Sequence, residues 1–267
     1  MSDPYTAEEP GRALVSTGSE IAGSAAGTAV GLVFGGPVGA VVGATLGPAA
    51  THVMKHVAGE VARRVLGPRE RVRAGAAVGF AAQRLEELLA DGAQVRDDGF
   101  FSDMPSGRNA AREAIEGVVL VARNSFEERK IRHIGYLFAN LAVEPALDPA
   151  IAALALHRAE ALTWRQYVLL AAVGRADRLP LPQGTVGTAA TGWTGWGAKR
   201  EFMDLYEGGY FTAPEKKTER MGLTLFNTEL SEQRLGTQGV LMHDLLALDE
   251  IADVEVREVH SLLEAEG

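Results

Sequence analysis

Seven glycines recur at every fourth position of this chain, inside a stretch that carries no charged residue. They are Gly23, Gly27, Gly31, Gly35, Gly39, Gly43 and Gly47, and no Asp, Glu, Lys or Arg occurs from 21 to 54. Each glycine lowers the stability of a helix in water by about 1 kcal/mol relative to alanine. In a bilayer, small residues at this spacing allow helix backbones to touch where lipid supplies no hydrophobic force for association. The series therefore predicts helices that pack backbone to backbone in a membrane.

The length and the proline of this stretch decide how many helices it forms. A spanning helix needs about 20 mostly apolar residues, so the stretch is long enough to insert. Glycines four residues apart would drift through about 240° of a straight helix over the whole series, and Pro37 would kink a continuous helix near the middle. We predict a glycine-zipper helical hairpin of two close-packed helices, 12–35 and 38–66. The alternatives are one kinked span that assembles with copies of itself, and a soluble scaffold or interaction protein in which the glycines form a compact core.

Basic residues follow the glycine segment and predict its side of the membrane. Only Glu60 and Glu70 oppose six cations in this flank, which are Lys55, Arg63, Arg64, Arg69, Arg71 and Arg73. Cations beside an apolar segment are typical of a cytoplasmic flank that faces anionic headgroups. The chain has no cysteine, which suits a reducing compartment. We expect the cytoplasmic (inner) membrane, with a soluble body in the cytoplasm; the alternative is a cytoplasmic protein.

The rest of the chain predicts a mainly α protein in which the glycine segment, 1–68, precedes a helical bundle, 69–177. Apolar residues at helical spacing predict helices at 69–90 and 108–122. Three start signals predict the next helices: a Ser125 and Glu128 capping box, Asp148 before Pro149, and a Thr163 and Gln166 capping box.

A third region, 178–267, predicts a loop followed by a small winged-helix-like α+β tail. Glycines and prolines predict a loop or hinge over 178–200. The elements expected after it are a helix at 199–206, strands at 210–211 and 223–226, and helices at 239–248 and 254–263. The last two helices are acidic, and because they would repel phosphate we expect no duplex DNA partner.

No pattern in the sequence predicts catalysis or a metal. The chain contains no H-E-x-x-H, G-x-S-x-G or dinucleotide-binding motif. His52 and His56 share a helix face, but no third ligand accompanies them. We therefore expect a protein that is not an enzyme and that has no cofactor and no metal.

One repeated motif suggests a small ligand. Thr-Gly-Trp occurs twice in succession, placing Trp193 and Trp196 just before Lys199 and Arg200. Indoles beside cations can stack on bases and pair with phosphates, so these residues predict a nucleotide or oligonucleotide site. The alternative is that the tryptophans cover apolar surface and the cations are solvated.

Three segments resemble a known family. The sequence NSFEERKIRHIGYLFANLA at 124–142, together with 162–174 and 230–251, resembles bacterial abortive-infection proteins of the Abi-alpha kind. The resemblance implies a phage-defence protein whose helical body senses a signal and whose glycine segment perturbs the inner membrane. Because a single short hairpin cannot enclose a water path, we expect a homo-oligomer that opens a pore. The predicted function is thus a non-enzymatic, oligomeric membrane effector gated by its helical body.

Overall fold

The computed structural model describes residues 68–102, 109–185, 192–213 and 229–264. These residues are mainly helical, as predicted, with a single pair of short strands among them. The predicted glycine hairpin and the predicted strand at 223–226 lie outside the described residues. The helices are α1 Pro68–Ala90, α2 Ala110–Asn124, α3 Lys130–Val143, α4 Pro149–Ala161, α5 Trp164–Gly174, α6 Gly192–Glu207, α7 Thr237–Leu245 and α8 Asp253–Leu263; the strands are β1 Phe211–Thr212 and β2 Arg234–Leu235.

The helices divide into two compact units at Ala161, with α1 to α4 in the first and α5 to α8 in the second. The predicted bundle, 69–177, extends past this division. Its last helix, α5, packs against α6, α7 and α8. The seven successive residues 167–173 of α5 are all buried. A helix that is apolar on every side must be surrounded, and the C-terminal helices surround this one.

In the first unit, α1 packs against α2 and α3, and α4 packs against α2. Large side chains at helical spacing fill the core between them, including Leu85, Ile115, Ile131, Ile134, Leu137, Phe138 and Leu141. The contact between α1 and α3 is close at Gly135, where a Cβ would lie 2.5 Å from the Ala77 carbonyl oxygen and 2.9 Å from Phe80 Cβ. The absence of a side chain at Gly135 sets the distance between these two helices.

Two of the three predicted helix starts are confirmed. The Ile151 N–H donates to Asp148 Oδ1 at 2.8 Å, ahead of α4. At α5 both bonds of the capping box are present: the Gln166 N–H donates to Thr163 Oγ1 at 3.1 Å, and the Thr163 N–H donates to Gln166 Oε1 at 2.9 Å. Each side chain satisfies a backbone group that a helix end leaves without a partner.

The predicted capping box at Ser125 is wrong. The Ser125 N–H donates to the carbonyls of Val121 and Ala122, so this residue ends α2. Glu128 forms an ion pair with Arg73 instead, with 3.5 Å between Arg73 Nε and Glu128 Oε1. Helix α3 begins later, at Lys130, without a side-chain cap.

In the second unit, the two short strands join the C-terminal end of α6 to the start of α7. They pair antiparallel, with Phe211 opposite Leu235 and Thr212 opposite Arg234. The predicted loop over 178–200 is too long, because α6 already begins at Gly192. Burial of Ala198, Phe202 and Leu205 along one side of α6 stabilises a helix whose first turns are rich in glycine.

Replacing Gly135 by alanine is expected to lower the free energy of unfolding of the first unit by about 1–2 kcal/mol, because overpacking against a backbone carbonyl costs up to about 3 kcal/mol. The gain of about 1 kcal/mol in helix propensity offsets part of this cost. The measurement is urea unfolding followed by far-UV circular dichroism. Gly117→Ala is the matched control, because a Cβ there would meet the movable end of the Leu156 side chain, at 2.7 Å. Equal losses in the two variants would contradict the close-contact explanation.

Candidate functional site

Most of the predicted membrane residues lie outside the described residues. These are the seven glycines together with Lys55, Arg63 and Arg64. The other three cations of the basic flank lie on α1. Arg69 is exposed, whereas Arg73 is half-buried and paired with Glu128. The Arg73 charge is therefore engaged within the first unit.

The predicted ligand residues lie on α6, and the structure brings only three of the four together. Trp193 and Trp196 are 86% and 56% exposed, and their rings meet edge to face with centroids 6.1 Å apart. Arg200 lies one turn further along the same face and pairs with Asp204 at 2.8 Å. Lys199 is buried on another side of the helix.

This arrangement changes what the motif can bind. Stacking on bases needs free aromatic faces, which the tryptophans supply, and also cations for the phosphates. Here one predicted cation is buried and the other is paired with a carboxylate. The exposed surface of this helix is thus aromatic, with little net positive charge to hold a phosphate.

The sequence reasoning missed a buried charged cluster in the second unit. The Arg175 side chain is 2% exposed at the end of α5. Its guanidinium lies 3.3 Å from Asp249 Oδ1 and 3.1 Å from Asp253 Oδ1, and it also donates to the Leu248 carbonyl. The Asp249 and Asp253 side chains are 66% and 44% exposed. The sequence shows an arginine at the end of an apolar helix and an acidic segment more than seventy residues later. Neither feature by itself indicates that the two are in contact.

His243 lies beside this cluster. Its Nδ1 is 3.2 Å from Asp244 Oδ1, and its Nε2 is 3.7 Å from Asp249 Oδ1. The ring packs on Gly174, where a Cβ would lie 2.5 Å from Nε2. Since the ring is buried and fills the space beside α5, this histidine has a structural role.

Burial shifts the pKa of three further groups. It lowers the pKa of Lys130, against the opposing influence of Glu127 and Glu160, and Lys130 Nζ donates to the Glu160 carbonyl at 3.0 Å. It raises the pKa of Glu86, with a further contribution from Glu87. It lowers the pKa of His260, although Glu264 acts in the opposite direction.

Within the described residues, no three side chains of the metal-binding types come together to hold an ion. No described helix combines the length and apolar character needed to cross a bilayer. Comparison with protein families, with characterised proteins and with solved structures finds no match to this chain.

Removing the Arg175 side chain is expected to cost less stability than removing its two carboxylates. Arg175→Met leaves exposed carboxylates in water and removes one of the two donors to the Leu248 carbonyl, which keeps the Ile251 N–H, at a cost of about 1–2 kcal/mol. The double variant Asp249→Ala/Asp253→Ala leaves a buried guanidinium without counter-charge, which costs about 3–5 kcal/mol. Tryptophan fluorescence during urea unfolding reports on this unit alone, because all three tryptophans lie beyond Ala161. A larger loss for Arg175→Met would contradict the assignment.

The second unit is expected to lose stability on acidification through His260. Burial places its folded pKa below the ordinary value of 6.5, and Nε2 makes no hydrogen bond within the described residues. Between these two pKa values the unfolded chain binds more protons, so the free energy of unfolding falls as the pH falls through this window. His260→Leu should reduce the difference between unfolding at about pH 7.5 and at about pH 5. An unchanged difference would show that His260 does not contribute.

Proposed function

We propose that this chain is a non-enzymatic, oligomeric membrane effector that perturbs or opens the cytoplasmic membrane and is gated by its helical body. The observation that carries the proposal is the uncharged 34-residue stretch with seven glycines in register. Such a stretch is unfavourable as a helix in water, and backbone contact in lipid makes use of the missing side chains.

Assembly of several copies follows from the size of the segment. One short hairpin cannot enclose a water path, whereas a ring of hairpins can. Glycine faces on both helices of each hairpin allow contact with the partner helix and with a neighbouring copy. The principal partners are therefore further copies of this chain, together with anionic lipid headgroups at the basic flank.

Helix α1 is the proposed link between the helical body and the membrane segment. It begins at Pro68, inside the basic flank, so Arg69, Arg71 and Arg73 lie on it. Its inner face, including Ala74, Ala77, Val78 and Ala81, is fully buried against its neighbours. Because the helix is 23 residues long and held on one side, a shift of the first unit would move the chain that leads into the glycine segment. Arg73 belongs to this packed part rather than to the lipid-facing flank, since Glu128 pairs with it.

We assign the activity to phage defence because the 124–142, 162–174 and 230–251 segments resemble Abi-alpha abortive-infection proteins. In such a role the helical body would respond to an infection signal. Membrane perturbation would then stop growth of the infected cell.

The second unit is proposed to be winged-helix-like and to contact protein. It has helix, strand, strand and helix in the order that such a tail requires. Its last two helices and the turn between them carry Asp244, Asp249, Glu250, Asp253, Glu255 and Glu258, which would repel DNA phosphates.

The proposal predicts that Gly27, Gly31 and Gly43 are required for membrane leakage. Replacing all three by leucine should abolish dye release from vesicles by the intact chain, because the larger side chains separate the backbones. Gly92→Ala is a control from the described body, where a Cβ would meet nothing within 4 Å. The left-handed φ of +95° at Gly92 strains an alanine there, but the strain is confined to the end of α1 and should leave leakage intact.

Fractionation of cells that express the intact chain at native level completes this test. Recovery in the membrane fraction, with leakage lost only in the triple variant, supports the proposal. Recovery in the soluble fraction without detergent would favour the soluble scaffold instead. Leakage that persists in the triple variant would contradict the proposal that contacts between the glycine faces are required for leakage.

A further inference from the structure

The structure carries two large aromatic side chains that its own core does not use. Trp193 and Trp196 are 86% and 56% exposed on the first turns of α6. A tryptophan buries about 150–250 Å² when it is covered, so leaving both in water forgoes a large stabilisation. Small residues surround them in sequence, Gly192, Thr194, Gly195 and Gly197, and no bulky charged side chain separates the two rings along the helix.

The opposite side of α6 fixes the direction in which these rings point. Phe202 and Leu205 are buried, and the Phe202 ring lies 4.8 Å from the Phe211 ring, centroid to centroid. Glu201 accepts from Thr163 Oγ1 at 3.0 Å and pairs with Arg165 at 3.3 Å. These contacts join α6 to the start of α5. The indoles are thus displayed on a packed element, and a binding surface would form with little loss of conformational entropy.

The charges around the pair determine which partner fits. Arg200, one turn beyond Trp196, is paired with Asp204, and Arg165, which lies beside Gly197, is paired with Glu201, so the charges nearest the indoles are balanced. From 162 to 267 the chain has sixteen acidic and ten basic residues. Such a surface repels the phosphates of nucleic acids and strongly anionic membranes. Ammonium groups, in contrast, bind favourably over indole faces.

We propose that Trp193 and Trp196 insert into the headgroup region of a zwitterionic phospholipid bilayer and dock the second unit on the membrane surface. This rests on the proposed membrane function and adds a second point of contact, distinct from the glycine segment. Tryptophan is the side chain that is most typical of the interface between lipid and water, because its ring is apolar and its N–H is polar. The ammonium of a zwitterionic headgroup can bind over the indole faces, and the balanced ion pairs beside them suit a headgroup that carries both charges.

The test uses the intact chain with phosphatidylcholine vesicles, with and without lipids that carry bromine on the acyl chains. Bromine in the bilayer should reduce the tryptophan emission of the parent chain, and vesicles should reduce quenching by aqueous iodide. The double variant Trp193→Phe/Trp196→Phe keeps Trp164 as the only emitter. Its remaining emission should show neither effect, and far-UV circular dichroism should match the parent.

Leakage measured on the same vesicles separates this inference from the proposed function. Leakage without bromine quenching would overturn the docking of Trp193 and Trp196 and leave the membrane effector standing. Bromine quenching without leakage would support docking and count against the pore. Emission that changes with protein concentration alone would favour a second copy on these rings. Emission that changes when a single-stranded oligonucleotide is added would favour nucleic acid as the partner. Either of these two results, obtained without bromine quenching, would overturn the inference.

Discussion

Close approach at positions without a side chain is the constraint on which both units depend. In the first unit the Gly135 backbone lies against the Ala77 carbonyl, which sets the distance between α1 and α3. In the second unit the His243 ring occupies the place of a side chain at Gly174, which joins α7 to the end of α5. At both positions glycine lowers helix stability by about 1 kcal/mol relative to alanine. The close packing that glycine allows offsets this loss. The proposed membrane segment would use the same compensation seven times, in a solvent where packing has to supply the association energy.

Buried cations complete both units by binding carbonyl oxygens at the ends of helices and turns. Arg96 donates to the Leu141 carbonyl at the end of α3, and Lys130 donates to the Glu160 carbonyl at the end of α4. Arg175 donates to the Leu248 carbonyl, which lies in the turn between α7 and α8. The last carbonyls of a helix have no partner within the helix, and the helix dipole makes that end negative. A cation placed there adds a hydrogen bond to the carbonyl, and this bond offsets part of the cation's own desolvation cost, which accounts for the burial of these side chains.

The sequence correctly predicted the helix caps that depend only on residues close together in the chain. The caps at Asp148 and Thr163 need only a side chain and an N–H three residues later, so their patterns were sufficient. At Ser125 the same pattern gave a wrong prediction, because the Ser125 N–H binds carbonyls at the end of α2. The S-x-x-E pattern alone does not indicate that a preceding helix ends at the serine. The start of α6 was missed because its stability comes from burial of Phe202 against another element. The Arg175 cluster joins residues more than seventy positions apart, and local spacing cannot indicate such a pairing.

Charge is distributed unevenly along the chain, so different forces would hold its two proposed membrane contacts to the bilayer. The flank that follows the glycines is cationic, so its attraction to anionic lipid acts over a Debye length, about 8 Å at physiological salt, and weakens as salt rises. The second unit is acidic and presents indoles, whose transfer from water into the headgroup region depends on apolar area and on short-range contact with ammonium groups. A chain with net charge −9 would be repelled by a strongly anionic surface everywhere except at the flank. Combining a local cationic flank with an uncharged aromatic contact would therefore allow an acidic protein to bind a mixed bilayer at the two proposed contacts.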